Sequence, residues 1–311
     1  MVVLHLWKPY WCLLRPKKYM RKATTNSEYL SIRKKYIGKM YALLHLLCRH
    51  KAQHPFKSVK DIYYFLFNKN AKSSKYVYKN YNLLRIDHSN FELQQIFDFR
   101  QYDVNLESEK PVIVDLGSNI GISIVFFKNK FPYAKIFGFE PNINLKQIVL
   151  ENMFHNISDL KNIHIQFTAV LAHKTKQSVL YIPNGKHSQA RVKTDKYRSI
   201  DSKNEILYVK SISFSEVVSR FEKIDLLKMD IEGEEFNVFP NIIKHNNKIR
   251  FLIVEVHECT NSQMFSIIKK MEKYYSIVVT PAFTNNVTAS GLIDEFIDRK
   301  KQTYLLYAKH L

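Results

Sequence analysis

PVIVDLGSNIGISIVFFKNK, residues 111–130, compresses a strand, a turn and a helix into one short stretch. The run VIVDL (112–116) is short, apolar and β-branched, as a strand buried on both faces requires. Gly117 and Gly121 then punctuate the chain, allowing a tight turn and close approach of a ligand to the backbone. ISIVFFKNK (122–130) predicts a helix that must stop before Pro132. The alternation continues outward. KIFGFE (135–140) is a second strand closed by Pro141, and INLKQIVLENMFHN (143–156) carries Leu145, Ile148, Val149 and Met153 at helical spacing. IHIQFTAVL (163–171) reads as a third strand, and KIDLLKMD (223–230) and IRFLIVEVH (249–257) as two more. EEFNVFPNIIKHN between those two is helical, with Pro240 predicted to kink or end it. SIVVTP (276–281) and TYLLYAK (303–309) close the sheet. Strands alternating with helices predict an α/β fold with a doubly wound, mostly parallel sheet. Such sheets bind ligands beyond the carboxyl ends of their strands, at the switch point, so the residues just past each strand end carry the chemistry.

The rest of the chain has another character. Of 311 residues 46% are hydrophobic and 14% aromatic, enough for a full core and too apolar for a disordered chain. No apolar run approaches the ~18 residues that span a bilayer. The opening MVVLHLWKPYWCLLRP is broken by Lys8 and Pro9 and reads poorly as a secretory signal. Cys12, Cys48 and Cys259 lie far apart and form no CxxC pair. A reducing, cytoplasmic setting is expected, without a disulfide scaffold or a cysteine zinc site. The net charge of +20 is uneven: residues 1–90 hold 19 Lys/Arg against three acids, a net +16. Helical patterns at 36–49 and 58–68 sit among these basic residues. The chain therefore divides into a basic, mainly helical N-terminal region, residues 1–85, and a second domain, residues 86–311. The first would meet anionic partners, whether a membrane surface at the inner face or another polyanion.

At the first strand end stand Asp115, Gly117, Asn119 and Gly121. The GxGxxG triplet that seats a pyrophosphate on a helix N-terminus is absent, which disfavours a nicotinamide oxidoreductase. An acid before the first glycine suits instead a ligand with an ammonium group, such as S-adenosylmethionine. Glu140 ends the second strand, where an acid can accept two hydrogen bonds from ribose hydroxyls. Ala169, on the third strand, completes the expected cofactor-binding set. The fourth strand ends in Asp230-Ile-Glu232-Gly-Glu234-Glu235 and the fifth in Glu255-Val-His257. Alternation puts Glu255 and His257 on one face. Asp230, Glu232, Glu255 and His257 could converge to take a proton from a hydroxyl, or to hold a divalent cation that acidifies it. Glu234 and Glu235 read as acidic capping of the following helix.

VIVDLGSNIGISIVFF, FGFEPNINLKQIVLENMFHN and above all IDLLKMDIEGEEFNVF followed by LIVEVHE closely resemble the FkbM family of S-adenosylmethionine-dependent methyltransferases. The likeness spans residues 85–310 and takes in FELQQIFDFRQYDV, with Tyr102 at the family's aromatic position. Ser118 and Glu234 replace the family's usual alanines. The resemblance implies a Rossmann-like class I methyltransferase, typically O-methylating a hydroxyl of a sugar, a glycan or a small natural product. It leaves the acceptor open and covers nothing before residue 85. A nucleic-acid methyltransferase, prompted by the basic region, would be expected to show an Asp/Asn-Pro-Pro-aromatic motif or a strand-end cysteine nucleophile. Neither stands here, so no specific nucleic-acid motif supports that rival. A non-catalytic binding module is the third reading, against which the joint presence of Asp115, Gly117, Gly121, Glu140 and Asp230 argues.

Overall fold

The computed structural model describes residues 74–78, 80–85, 91–175, 178–183, 187–192, 205–281 and 302–311, all within one unit, Asn68–Leu311. The helices expected at 36–49 and 58–68, and the membrane or polyanion contacts expected of the basic region, lie outside the described residues.

The apolar runs become the strands of a seven-stranded sheet. These are β3 (Val112–Leu116), β4 (Lys135–Phe139), β5 (Ile163–Gln166), β11 (Ile224–Met229), β12 (Ile249–Cys259), β13 (Tyr275–Pro281) and β14 (Gln302–His310). Their spatial order is β13-β14-β12-β11-β3-β4-β5. The five from β5 to β12 are parallel, whereas β14 runs antiparallel to both its neighbours. From β3 the chain builds outward to β5, then returns to β11 on the other side. The switch point therefore lies between β3 and β11, and the fold is Rossmann-like and doubly wound.

The crossover helices are α1 (Ile122–Lys130), α2 (Lys146–Asn156), α3 (Phe214–Ser219), α4 (Glu235–Lys244) and α5 (Asn261–Met271). One apolar core joins Val114, Leu227 and Val254 of the central strands to Val238 and Ile242 of α4 and Met264 of α5. Pro240 sits inside α4 and does not end it. The burial of Val238, Phe239 and Ile242 on either side of the proline outweighs its one missing N–H.

Two parts differ from the sequence expectation. IHIQFTAVL is two strands, not one. The chain leaves β5 at Gln166, and β6 (Ala169–Leu171) pairs in parallel with β10 (Ser211–Ser213) in a separate ribbon. Between them is inserted a three-stranded sheet, β7 (Ser178–Ile182), β8 (Arg191–Val192) and β9 (Glu205–Val209), in the order β8-β7-β9. Secondly, the helical character expected of residues 1–85 does not extend to 74–85, which form a hairpin of β1 (Ser74–Tyr78) and β2 (Tyr81–Arg85). Its Leu83 and Leu84 are both buried. Two asparagines of α2 grip its free edge. Asn152 accepts from Leu84 N (2.6 Å) and donates to Leu84 O (3.1 Å), and Asn156 does the same for Asn82 N (2.7 Å) and O (2.8 Å).

Candidate active site

The turn after β3 explains its glycines. Gly117 (φ 80°) and Gly121 (φ 84°) occupy the left-handed region that a side chain disfavours. A Cβ on Gly117 would stand 1.7 Å from the carbonyl oxygen of Asp230. The sequence suggested that a ligand approaches this backbone closely. The chain's own β11–α4 turn packs closely against it, and Gly117 also lines the cleft. The amides of Gly117 and Ser118 both donate to Phe139 O (2.9 and 3.0 Å), clamping the ends of β3 and β4 together.

Gly117, Asn119, Glu140, Ala169, Asp230 and Glu232 line one cleft at the carboxyl edge of the sheet. Asp115 and Gly121 do not form its walls. Asp115 is fully buried behind it, accepting from Ser123 Oγ (2.6 Å) and lying 3.2 Å from Lys228 Nζ. Glu140 is 6% exposed. Its Oε2 accepts from Asn119 N (2.9 Å) and its Oε1 from Asn142 N (2.7 Å), which leaves lone pairs on both oxygens. Burial pushes its carboxyl up to about 7, against the two backbone bonds that pull it down. Asn119 Oδ1, also buried, has no hydrogen-bond partner among the described residues. His187, from the inserted segment, reaches the same cleft with Nδ1 3.0 Å from Asn142 Nδ2.

Asp230, Glu232, Glu255 and His257 do come together, around the imidazole. His257 Nε2 lies 3.8 Å from Asp230 Oδ1, 3.8 Å from Glu232 Oε2 and 3.7 Å from Glu255 Oε1. Its Nδ1 is 3.0 Å from Oε1 of Glu235. Read from sequence as helix capping, Glu235 is fully buried and does more. It accepts from Ile231 N (3.1 Å) and Gly233 N (2.9 Å) as well as holding the histidine. The turn between them is tight: Glu232 (φ 54°) is left-handed, and Gly233 (φ 111°) follows it.

Burial, with repulsion chiefly from Asp230, holds the carboxyls of Glu232 and Glu255 above their ordinary range. Burial alone would lower the His257 imidazole, but Glu235, Glu232 and Asp230 outweigh it and hold the ring well above its usual value. Two fixed cations offset this negative charge. Lys228, 2% exposed, donates to Gly117 O (2.6 Å) and lies 3.8 Å from Asp230 Oδ2. Arg191 of β8 pairs with Glu232 (3.5 Å) and Glu258. Tyr102 packs beneath, its ring 5.6 Å from Lys228 Nζ, and burial with the surrounding carboxylates pushes its phenol far up.

Sequence reading missed Glu235, Lys228, Arg191 and His187. A clue existed for the first two. Glu235 falls one helical turn after Ile231, and a lysine inside the apolar run of β11 has to be paired to be buried. Nothing in the spacing signals the insertion residues.

Residues 115–277 match the model of the methyltransferase FkbM domain. The chain is 27% identical over 192 residues to Methyltransferase 1 of Beauveria bassiana, covering 57% of this chain and 76% of that protein. It is 27% identical over 151 residues to the hexuronic acid methyltransferase AglP of Haloferax volcanii, covering 48% and 57%. The crystal structure of methyltransferase FkbM from Methylobacillus flagellatus is similar at 15% identity and a TM-score of 0.39. There the likeness covers 68% of this chain and about half, 47%, of the other.

Proposed function

The chain belongs to the methyltransferase FkbM domain family and is a methyltransferase, and on that premise we propose that it carries the methyl group of S-adenosylmethionine to a hydroxyl of a sugar, a glycan or a small natural product. One observation carries the reading: Glu140, the candidate ribose acceptor, and Asp230, the candidate base, line a single cleft. The walls suit this cofactor. Glu140 offers lone pairs to two ribose hydroxyls, and the unsatisfied Asn119 Oδ1 offers an acceptor to a donor group. Asp115 holds Lys228 and α1 behind the loop, while Gly117 and Gly121 shape it. Ala169 presents a small wall beside them.

When bound, the cofactor supplies an electrophilic methyl on a good leaving group. The protein's task is to orient the acceptor and remove its proton, since an alcohol is a poor nucleophile until that proton begins to leave. Positioned bases typically contribute ~10²–10⁴ in rate. Asp230 is the proposed base, with its carboxylate at the cleft and partly exposed. His257 is the weaker candidate, because its carboxylate neighbours already hold it protonated. As an imidazolium it offsets the charge of Asp230, Glu232 and Glu255, 3.7–3.8 Å away. Lys228 fixes Asp230 against the glycine loop. The relative named for hexuronic acid favours a sugar acceptor. The basic residues that precede the β1–β2 hairpin, part of the region expected at 1–85, would bring the enzyme to an anionic acceptor or surface; the hairpin itself packs with the catalytic domain.

Methyl-labelled S-adenosylmethionine, offered with fractionated sugars, glycans, small hydroxy compounds and RNA, tests the reading. Label is expected in an alkali-stable methyl ether. Asp230→Asn should lower transfer by about two orders of magnitude with cofactor affinity nearly unchanged. Transfer at the wild-type rate by Asp230→Asn, or label confined to RNA, overturns it.

A further inference from the structure

We propose that Asp230, Glu232 and His257 together form a binding site for one divalent cation of the first transition row, for which Mn²⁺ is the test ion. Each contributes one ligand atom, and these atoms lie within 4.8 Å of one another. The histidine supplies the independent pointer. Its side chain is only 10% exposed, and Glu235 pins Nδ1, so that Nε2 is aimed into the carboxylates. Yet Nε2 stops 3.7–3.8 Å short of all three, beyond hydrogen-bond reach of any. A charge-assisted N–H···O bond would close to about 2.8 Å. Atoms that share an ion at ~2.1 Å instead stand about 3.0–4.2 Å apart, and both distances from Nε2 to its co-ligands, 3.8 Å, fall in that range.

The surroundings agree with an ion. A ligating histidine characteristically donates its other N–H to a carboxylate that fixes tautomer and orientation, and Glu235 does that here. The ion takes the place of the Nε2 proton, which leaves to solvent. Two carboxylates and a neutral imidazole then match a double positive charge. Mixed oxygen and imidazole donors suit Mn²⁺ better than Ca²⁺ or Mg²⁺. Lys228 lies 3.8 Å from the other oxygen of Asp230, Oδ2, and Arg191 Nε lies 3.5 Å from Glu232 Oε2; both cations are already shared, with Asp115 and Glu258. Glu255 stands by as a fourth carboxylate. Three protein ligands leave coordination positions for water and for an acceptor oxygen. The inference thus rests on the proposed arrival of the acceptor hydroxyl at Asp230, whose acidity such an ion would raise.

Mn²⁺ alone, added to EDTA-stripped full-length protein, is followed by loss of the free-ion electron paramagnetic resonance signal. Saturable uptake of about one ion per chain is expected. Glu232→Gln and His257→Gln should each weaken it at least tenfold, and Glu235→Gln by about 10–100-fold through the histidine. Circular dichroism and cofactor titration on each variant confirm that it is folded. Absence of saturable uptake, or uptake that all the variants share with the wild type, overturns the proposal. Methyl transfer at full rate by the stripped protein also overturns it, and leaves the hydroxyl-methylation reading standing. Saturable uptake with no methylated hydroxyl supports the site and defeats that reading.

Discussion

Replacing Gly117 by alanine tests whether the two halves of the cleft are held together by direct backbone contact. The new Cβ would lie 1.7 Å from Asp230 O and 2.8 Å from its carbonyl carbon, where real Cβ contacts do not fall below 3.0 Å. The β11–α4 turn must therefore withdraw by roughly 1.3 Å, breaking the Asp230 N–H to Leu116 O bond (3.0 Å). Losing that shielded bond costs about 1–3 kcal/mol. Holding a non-glycine residue at φ 80° adds about 1–2 kcal/mol. The expected destabilisation is about 2–5 kcal/mol, read from urea unfolding by circular dichroism. Because Asp230 moves with the turn, methyl transfer should fall by about 10² even in protein that remains folded. Gly121→Ala is the internal comparison. It shares the left-handed backbone but would meet only the Val149 side chain at 3.2 Å, which can give way. It should cost about 1–2 kcal/mol and leave Asp230 in place. If Gly117→Ala proves as mild as Gly121→Ala in both stability and transfer, the contact does not couple the two strand ends.

Three further outcomes follow from the buried charges. Glu140, raised to about 7, is neutral in the free protein below that pH. Cofactor affinity should rise about tenfold between pH 6 and pH 8 in titration calorimetry, and the rise should vanish in Glu140→Gln. Its effect on folding runs the other way. The folded state keeps a proton that the unfolded chain loses near pH 4.5, so Glu140's contribution is full below that pH. It is lost by about 3 kcal/mol as pH rises through 7, and urea midpoints of wild type and Glu140→Gln at pH 5 and 8 should show it. Lys228→Met leaves Asp115 buried without its cation, at a cost of about 3–5 kcal/mol. A variant as stable as wild type would show that the lysine is not what stabilises the buried acid.

The central sheet was legible in the sequence because its strands are short, apolar and β-branched and its turns carry Gly or Pro. The strand-end rule then singled out Glu140, Asp230, Glu255 and His257 without any knowledge of their distances. Three things were not legible. The break at Phe167–Thr168 carries no Gly or Pro, so nothing in the apolar alternation of 163–171 shows β6 turning away to β10. Glu235 looked like an ordinary acid at a helix start, and only burial and its bond to His257 reveal its second task. Gly117 was read as a place where a ligand comes close to the backbone, and sequence could not show that the β11–α4 turn packs against it. Pairing across the sheet decided that, and pairing is non-local.

The grip of Asn152 and Asn156 on β2 has one more consequence. An edge strand with unpaired N–H and C=O groups is a template on which another chain can add. Two amides at i and i+4 of a helix are about 6 Å apart, close to the ~6.7 Å between alternate residues of a strand. The helix thereby imitates a neighbouring strand, each amide offering both a donor and an acceptor to Asn82 and Leu84. Aspartate could accept but not donate, so only an amide closes both halves of each pair. The hairpin's outer edge is sealed by side chains, and intermolecular strand addition is blocked there at the expense of two residues.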